Sequence, residues 1–457
     1  MFLSDQGRDA IIMKRIVTLQ HFPAIGASSS IGQVYLGPFY YYLIAPFLLL
    51  FRFNPVGMSY GAAILSLIGI IVSYLIIRKE IDKLTALLFL ILTTFSYINI
   101  ESSRFSWNPN LLPVFSFLTL YFFYKLISSK NLFWPIIFGV FFSFSIQLHY
   151  LAVLLILPAG IFLIQSICCQ KNKLSHLKKI LISFFSFLLF TIPLIIFDFR
   201  HQFLNSNNFL KLFTQGEVVG KSTFSSRIIE TLQSSLSYLI NVQLPVSLVL
   251  IIFCALLMLY LLFKKAKTHR FILLNFLNII LFLFAFSLLN SARPPHYYNQ
   301  IYFSFFLLIA YIFTDLKERL SPLFWKIILI LFFTGYILVN SQGYYFFYQK
   351  GSNQIAYSKK VAEFLAEKIG NKPFNIATWP VEFTEDNYLY FLELKGLIPA
   401  DRTKIEITNQ MFILCNKQPC KILDSPSWNI SMFGPAKIDK IWSVEGITIY
   451  KLIHNNL

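Results

Sequence analysis

The stretch FLSDQGRDA, residues 2–10, places Asp5 and Asp9 four positions apart with Arg8 beside them. On a helix that spacing puts both carboxylates on one face, within reach of the guanidinium. Two readings follow. One is a helix start, where acidic side chains favour the positive end of the helix dipole. The other is a general base held at a membrane surface, where partial burial and Arg8 tune its proton affinity.

Further chemistry-bearing groups sit in four short segments. ESSRFSWNPN (101–110) offers Arg104 as an anion ligand, with Asn108 and Asn110 as hydrogen-bonding groups. IQLHYL carries His149, FDFRHQF (197–203) carries Asp198, Arg200 and His201, and ARPPHYYNQIY (292–302) carries Arg293, His296 and Tyr297. A guanidinium at a membrane interface suits a phosphate, which it grips with planar paired donors. Each segment also reads as a plain helix-end anchor. The sequence has no P-loop, HExxH, GxSxG or CxxC pattern. Nucleotide hydrolysis, zinc proteolysis and serine hydrolysis are therefore unsupported.

The elements that must position these groups are membrane elements. The chain is 56% hydrophobic and 13% charged, against about 25% charged in soluble proteins. Its net charge of +18 lies in residues 1–350, which hold 27 Lys/Arg and 10 Asp/Glu; residues 351–457 hold 12 and 11. Basic loops between apolar spans are orientation signals and not a nucleic-acid footprint. Ten stretches are long enough to cross a bilayer: 60–77, 84–100, 111–128, 132–148, 150–168, 180–199, 245–263, 271–289, 297–314 and 323–340. The connections at 78–83, 125–130, 171–179, 264–270 and 315–326 hold 16 Lys/Arg, and the alternate ones at 101–110, 147–150, 200–244 and 290–296 hold six. The first set is expected in the cytoplasm and the second outside.

That topology leaves six carboxylates of residues 1–350 outside: Asp5, Asp9, Glu101, Asp198, Glu217 and Glu230. It also requires the apolar stretch 36–53, with its Gly-Pro start, Tyr40 and Tyr41, and internal Pro46, to lie along the outer interface if residues 2–10 are outside. The expected architecture is an all-α polytopic membrane domain over 1–349, of about ten spans plus that interfacial helix. A small extracytoplasmic α/β domain follows over 350–457. In it NQIAYSKKVAEFLAEKIG has helical periodicity, and FNIATW, KIEIT, MFILC and ITIYKL are β-rich runs. Cys415 and Cys420 can pair if this domain meets an oxidising compartment. Cys168, Cys169 and Cys254 lie in or beside apolar stretches and read as small hydrophobes.

SDQGRDA, YLGPFYYYL, SRFSWNPNLLPVFSFL, QLHY and PHYYNQIY, in that order and followed by an outer C-terminal domain, resemble the C-type (GT-C) membrane glycosyltransferases. The branch is that of the bacterial dolichyl-phosphate-mannose–protein mannosyltransferases and lipid A aminoarabinose transferases. The resemblance covers about residues 1–320. It implies a hexosyl or pentosyl transferase of the bacterial plasma membrane. Its donor is a polyprenyl-phosphate sugar, and its acceptor is an extracytoplasmic hydroxyl or amine attacked with inversion. Asp5 matches the family's catalytic base, with Asp9 as a nearby second acid, and GPFYYYL matches an interfacial helix. Arg8, Tyr40, Tyr41, Arg104, Asn108, Asn110, His149, Arg200, His201, Arg293, His296 and Tyr297 become the substrate-binding set. Asn110 or Asn108 stands where the family usually has an acid, which takes a carboxylate away from any metal site shared by the two loops; a divalent cation is the one candidate cofactor. The implied partners are the lipid-linked donor, the acceptor and the bilayer, with no nucleic acid. The family has a membrane helix directly before the acidic loop, so a truncated gene model is expected. The alternatives are a flippase or transporter of lipid-linked glycans and a surface polysaccharide polymerase or ligase.

Overall fold

The computed structural model describes residues 2–29, 33–169, 173–214, 223–245, 270–289, 292–380, 383–423 and 425–455. In chain order the helices are α1 (Ser4–Val17), α2 (Phe39–Leu50), α3 (Val56–Glu80), α4 (Lys83–Phe95), α5 (Tyr97–Ser103), α6 (Leu112–Ser128) and α7 (Phe133–Leu148). Then come α8 (Ile156–Cys169), α9 (Lys173–Arg200), α10 (Leu204–Thr214), α11 (Phe224–Ile240), α12 (Arg270–Leu288), α13 (Tyr302–Arg319) and α14 (Pro322–Ser341). The C-terminal region holds α15 (Gln354–Ile369), β1 (Asn375–Trp379), α16 (Asp386–Leu394), β2 (Gln410–Cys415), α17 (Trp428–Ser431), β3 (Ala436–Val444) and β4 (Ile447–His454). The chain divides into two compact units: Met1–Phe22 with Ile44–Met58 and Lys350–Leu457, and Pro23–Leu43 with Ser59–Gln349.

The first unit is built on a four-stranded sheet of order β1-β2-β4-β3, with β1 and β2 parallel and the other pairs antiparallel. Strand β2, QMFILC, is buried along its whole length. Ala377, Met411, Ile413, Ile422, Ile430, Phe433 and Leu452 form the core against one sheet face. Cys415 and Cys420 form a disulfide with Cα atoms 6.3 Å apart. The sequence expectation fails at KIEIT. A 3₁₀ turn at Arg402–Lys404 and an irregular stretch stand there, and Ile405 adopts φ +56°. The Asn375 side chain takes the place of a neighbouring strand. Its Oδ1 accepts from Thr408 N (2.8 Å) and its Nδ2 donates to the Glu406 carbonyl (2.8 Å). At the opposite edge of the sheet β3, paired with β4, carries Lys437, Asp439 and Lys440 and is largely exposed, as befits an edge.

α1 packs against α16 in this unit. Phe2 sits edge-on to Tyr390 and Phe391. At the other end of α1, Lys14 (3.1 Å) and Arg15 (2.7 Å) both reach the buried Glu393 carboxylate. Burial alone would raise this carboxyl, but the hydrogen bonds from Arg15 and Lys14 outweigh it and hold Glu393 below its ordinary value.

In the second unit, the described residues include six helices long and apolar enough to cross a membrane: 56–80, 108–128, 150–168, 174–200, 270–288 and 322–341. The pair α4–α5, bent by 63°, makes a seventh. These seven coincide with seven of the ten expected stretches. Of the other three, 132–148 is the 16-residue apolar helix α7. The stretch 297–314 opens as a 3₁₀ turn (Pro295–Tyr298) and continues as α13, and 245–263 lies outside the described residues. The ambiguous stretch 36–53 yields α2, whose 12 residues reach about 18 Å, short of the roughly 30 Å of hydrocarbon.

The α4–α5 bend shows how a broken helix is tolerated in an apolar setting, where freed backbone groups must be paired by protein. Tyr97 N donates to Asn340 Oδ1 (2.8 Å), Tyr336 Oη donates to the Leu92 carbonyl (2.9 Å), and Tyr344 Oη donates to the Phe95 carbonyl (2.7 Å). α14 and the residues just after it thus serve as the partner of the break. Close crossings rely on small residues. A Cβ on Gly139 of α7 would stand 2.2 Å from the Ser183 carbonyl of α9. Between α12 and α13 a buried chain runs from Gln300 through Asn278 and Ser304 to Asn275, with links of 2.8–3.1 Å.

Tyr336→Phe removes the donor for a buried carbonyl and is expected to cost about 1 kcal/mol. The readout is the thermal midpoint of detergent-purified protein. Leu338→Ala, at an exposed position of the same helix, should leave that midpoint unchanged; equal losses in both variants would contradict the account.

Candidate functional site

The acidic segment becomes the first turns of α1. Asp5 lies in its first turn, and Gln6 Oε1 accepts from Leu3 N (3.1 Å) to close the helix start. The capping reading of these residues is therefore met, and the geometry adds more. Arg8 bonds both acids: its Nη1 lies 2.9 Å from Asp5 Oδ1 and its Nη2 2.8 Å from Asp9 Oδ1. The acids differ sharply in access, with the Asp5 side chain 57% exposed and that of Asp9 1%. Asp9 is the buried anchor that orients Arg8, and Arg8 in turn orients the accessible Asp5. A carboxylate so placed can accept a proton from a ligand at the surface.

In the second unit three of the expected segments come together. Trp107 packs on His296 with ring centres 4.5 Å apart, and His149 packs on Tyr297 (5.0 Å), Tyr150 (4.8 Å) and His296 (6.1 Å). Asn299 Nδ2 donates to the Pro109 carbonyl (2.7 Å), and Asn110 Nδ2 donates to the Phe105 carbonyl (2.8 Å). Tyr40 joins the group through a 2.6 Å bond between its hydroxyl and Ser106. Tyr41 is buried beside it. Asn108 is 2% exposed, and its amide makes no hydrogen bond among the described residues.

The imidazoles at this junction are neutral. Burial pushes His149 down to about 3, with His296 adding to the shift, and burial pushes His296 down to about 4. His149 Nδ1 accepts from Leu151 N (3.3 Å), which assigns the ring proton to Nε2. A neutral His296 offers hydrogen bonds but no positive charge.

The remaining predicted residues separate by access. Arg293 is 6% exposed; its Nε donates to Thr231 Oγ1 (3.1 Å), its Nη2 donates to the Leu289 carbonyl (2.8 Å), and it lies over Phe286. That is the work of a helix tie. Arg104 is exposed with its guanidinium 4.0 Å from the Phe346 ring centre. Arg200 and His201 are exposed, and His201 stacks on Phe197. Asp198 caps α10 by accepting from Asn205 N (2.7 Å), and Asn205 clasps Tyr35 through its backbone N and O. Glu217 lies outside the described residues. No group of three or more His, Cys, Asp or Glu is gathered to hold a metal ion among the described residues. Sequence reasoning missed the segment 384–387, against which the acidic turn of α1 packs. Its one signal was the acid pair in FTEDNYLY, some 380 residues downstream.

A neutral buried imidazole stabilises the fold above its unfolded value of about 6.5. This contribution erodes as pH falls toward the folded values of about 3 and 4. The thermal midpoint is therefore expected to drop between pH 7 and pH 5, and His149→Gln should flatten that drop. An unchanged pH slope in the variant would contradict neutral burial of His149.

Comparisons with known proteins agree with this architecture. Residues 36–197 match the family model of the dolichyl-phosphate-mannose-protein mannosyltransferases. The structure of ArnT from Cupriavidus metallidurans bound to undecaprenyl phosphate superposes with a TM-score of 0.62, and its apo state with 0.61. Each is 12% identical to this chain, covering 99% of it and 94% of its own length. No curated protein sequence matches the chain. The chain is a polytopic membrane protein of the GT-C fold with a small C-terminal sheet domain, and residues 36–197 carry its likeness to the mannosyltransferases.

Proposed function

We propose that the chain is a glycosyltransferase that moves a sugar from a polyprenyl-phosphate donor to a hydroxyl or amine acceptor on the extracytoplasmic face, with inversion. The observation that carries the reading is the accessible Asp5 held by Arg8, itself anchored by the buried Asp9. The fold shared with a protein solved with undecaprenyl phosphate supports the lipid-linked donor. The Cys415–Cys420 disulfide supports an oxidising surrounding for the C-terminal domain.

In this reaction the acceptor oxygen or nitrogen attacks the anomeric carbon as the bond to the phosphate oxygen breaks. Asp5 takes the acceptor proton, and the polyprenyl phosphate leaves with the bonding pair. The departing phosphate gains negative charge, and cations lower the barrier by meeting that charge as it develops. Arg104 and Arg200 are exposed and free of buried duties, so this role falls to them. His296, being neutral, donates a hydrogen bond instead. The buried Asn108 amide and the Trp107 ring offer polar and stacking contacts to a sugar.

Asp5→Asn removes the base while keeping size and shape, and is expected to lower transfer by at least about a hundredfold. Transfer is read as release of undecaprenyl phosphate from its mannose- and aminoarabinose-linked forms by reconstituted protein. Asp9→Asn should combine a smaller rate loss with a lower thermal midpoint, because it frees Arg8. Transfer by Asp5→Asn at the wild-type rate would sink the assignment of the base.

A further inference from the structure

We propose that Asp386, the first residue of α16, is a positioning residue for the Asp5–Arg8–Asp9 group, contributing a third carboxylate that competes for the same guanidinium. The proposal rests on the reading of Asp5 as the acceptor-side base.

The contact is intimate and lies within one unit. A Cβ on Gly7 would stand 2.3 Å from Asn387 N and 2.4 Å from the Asp386 carbonyl carbon. The backbones of α1 and α16 therefore touch where Asp5, Arg8 and Asp9 leave α1, and any residue larger than glycine would part them. Ser4 Oγ donates to the Thr384 carbonyl (3.1 Å), and Thr384 Oγ1 donates to Asp386 Oδ2 (3.1 Å). A short chain of bonds thus runs from the start of α1 to the Asp386 carboxylate.

Four acids and two arginines meet at this junction. Arg8 serves Asp5 and Asp9. Arg402, from the 3₁₀ turn, pairs with the buried Glu385, which also accepts from Thr378 Oγ1 (3.2 Å). Lys404 of that turn pairs with Asp401. α15 contributes Ser358, which accepts from Asn387 Nδ2 (2.8 Å). Its charged side chains are occupied elsewhere, Lys359 with Glu363 and Lys360 with Glu445. Asp386 is thus the acid at this junction that has a hydroxyl donor but no ion pair of its own among the described residues.

Burial pushes the Asp386 carboxyl up from its ordinary value, and Asp5 adds to the rise, while Thr384, Arg8 and Arg402 oppose it. When ionised, Asp386 draws Arg8 away from Asp5; when protonated, it leaves Arg8 to Asp5 and Asp9. It takes no proton from substrate and acts only through Arg8. The C-terminal domain would in this way set the state of an acid that the N-terminal helix presents.

The test is an infrared titration of full-length, detergent-purified protein carrying ¹³C-labelled aspartate, with the Asp386 band assigned by its loss in Asp386→Glu. In the wild type that band should titrate above the usual carboxylate range. It should fall in Asp5→Asn and rise in Arg8→Met, as coupled sites do. A midpoint indifferent to both changes would overturn the coupling. In turnover of undecaprenyl-phosphate-linked mannose and aminoarabinose, Asp386→Asn should move the acid limb of the rate profile to lower pH, and Asp386→Glu should restore it. Loss of amplitude without displacement would overturn the positioning role. Wild-type turnover by Asp5→Asn would overturn the reading of the base and leave the infrared coupling standing.

Discussion

A chain this apolar is governed by one constraint: every backbone N–H and C=O removed from water must find a partner within the protein. Long unbroken helices meet it without help, and most of the second unit consists of them. Wherever the helix stops, polar side chains gather. Asn340, Tyr336 and Tyr344 complete the α4–α5 bend, Asn205 clasps Tyr35, and Asn299 closes on Pro109. Asn110, which donates to the Phe105 carbonyl, and Arg293 were assigned to substrate by sequence reading and also support irregular backbone. Arg293, tied to Thr231 and the Leu289 carbonyl, is the clearest case.

The same constraint concentrates opportunity. Irregular backbone is also where side chains can be aimed at a ligand, and the junction of residues 105–110, 149–150 and 296–299 combines both uses. Its imidazoles are neutral because burial disfavours their charged form. In the proposed reaction, positive charge for the anionic leaving group would come from the exposed guanidiniums of Arg104 and Arg200. In the first unit the division of labour is between two aspartates on one helix face. Asp9 is buried and holds Arg8, and Arg8 in turn holds the exposed Asp5.

Much of this was legible in the sequence. The 3.6-residue and two-residue periodicities located α15, β1, β2 and β4, and the apolar stretches located the long helices. The pairing of Asp5 and Asp9 through Arg8 follows from their spacing. Three features were not legible. KIEIT has strand composition but no strand beside it, since Asn375 supplies the hydrogen bonds through a side chain. β3 carries three charged residues among its nine, which masks a strand, yet an edge position tolerates them. The long-range meeting of Gly7 with Asp386 and Asn387 was hidden for a different reason. Nothing local in either segment reports a backbone contact made across some 380 residues.

The central claim is that a sugar leaves a polyprenyl phosphate by direct attack of an acceptor deprotonated at Asp5. The measurement that bears on it most directly is the anomeric configuration of the product. It would be determined by NMR after transfer from an undecaprenyl-phosphate-linked sugar of known configuration by the protein reconstituted in vesicles. The account predicts a product of opposite configuration to the donor; a product that retains the donor's configuration would contradict it.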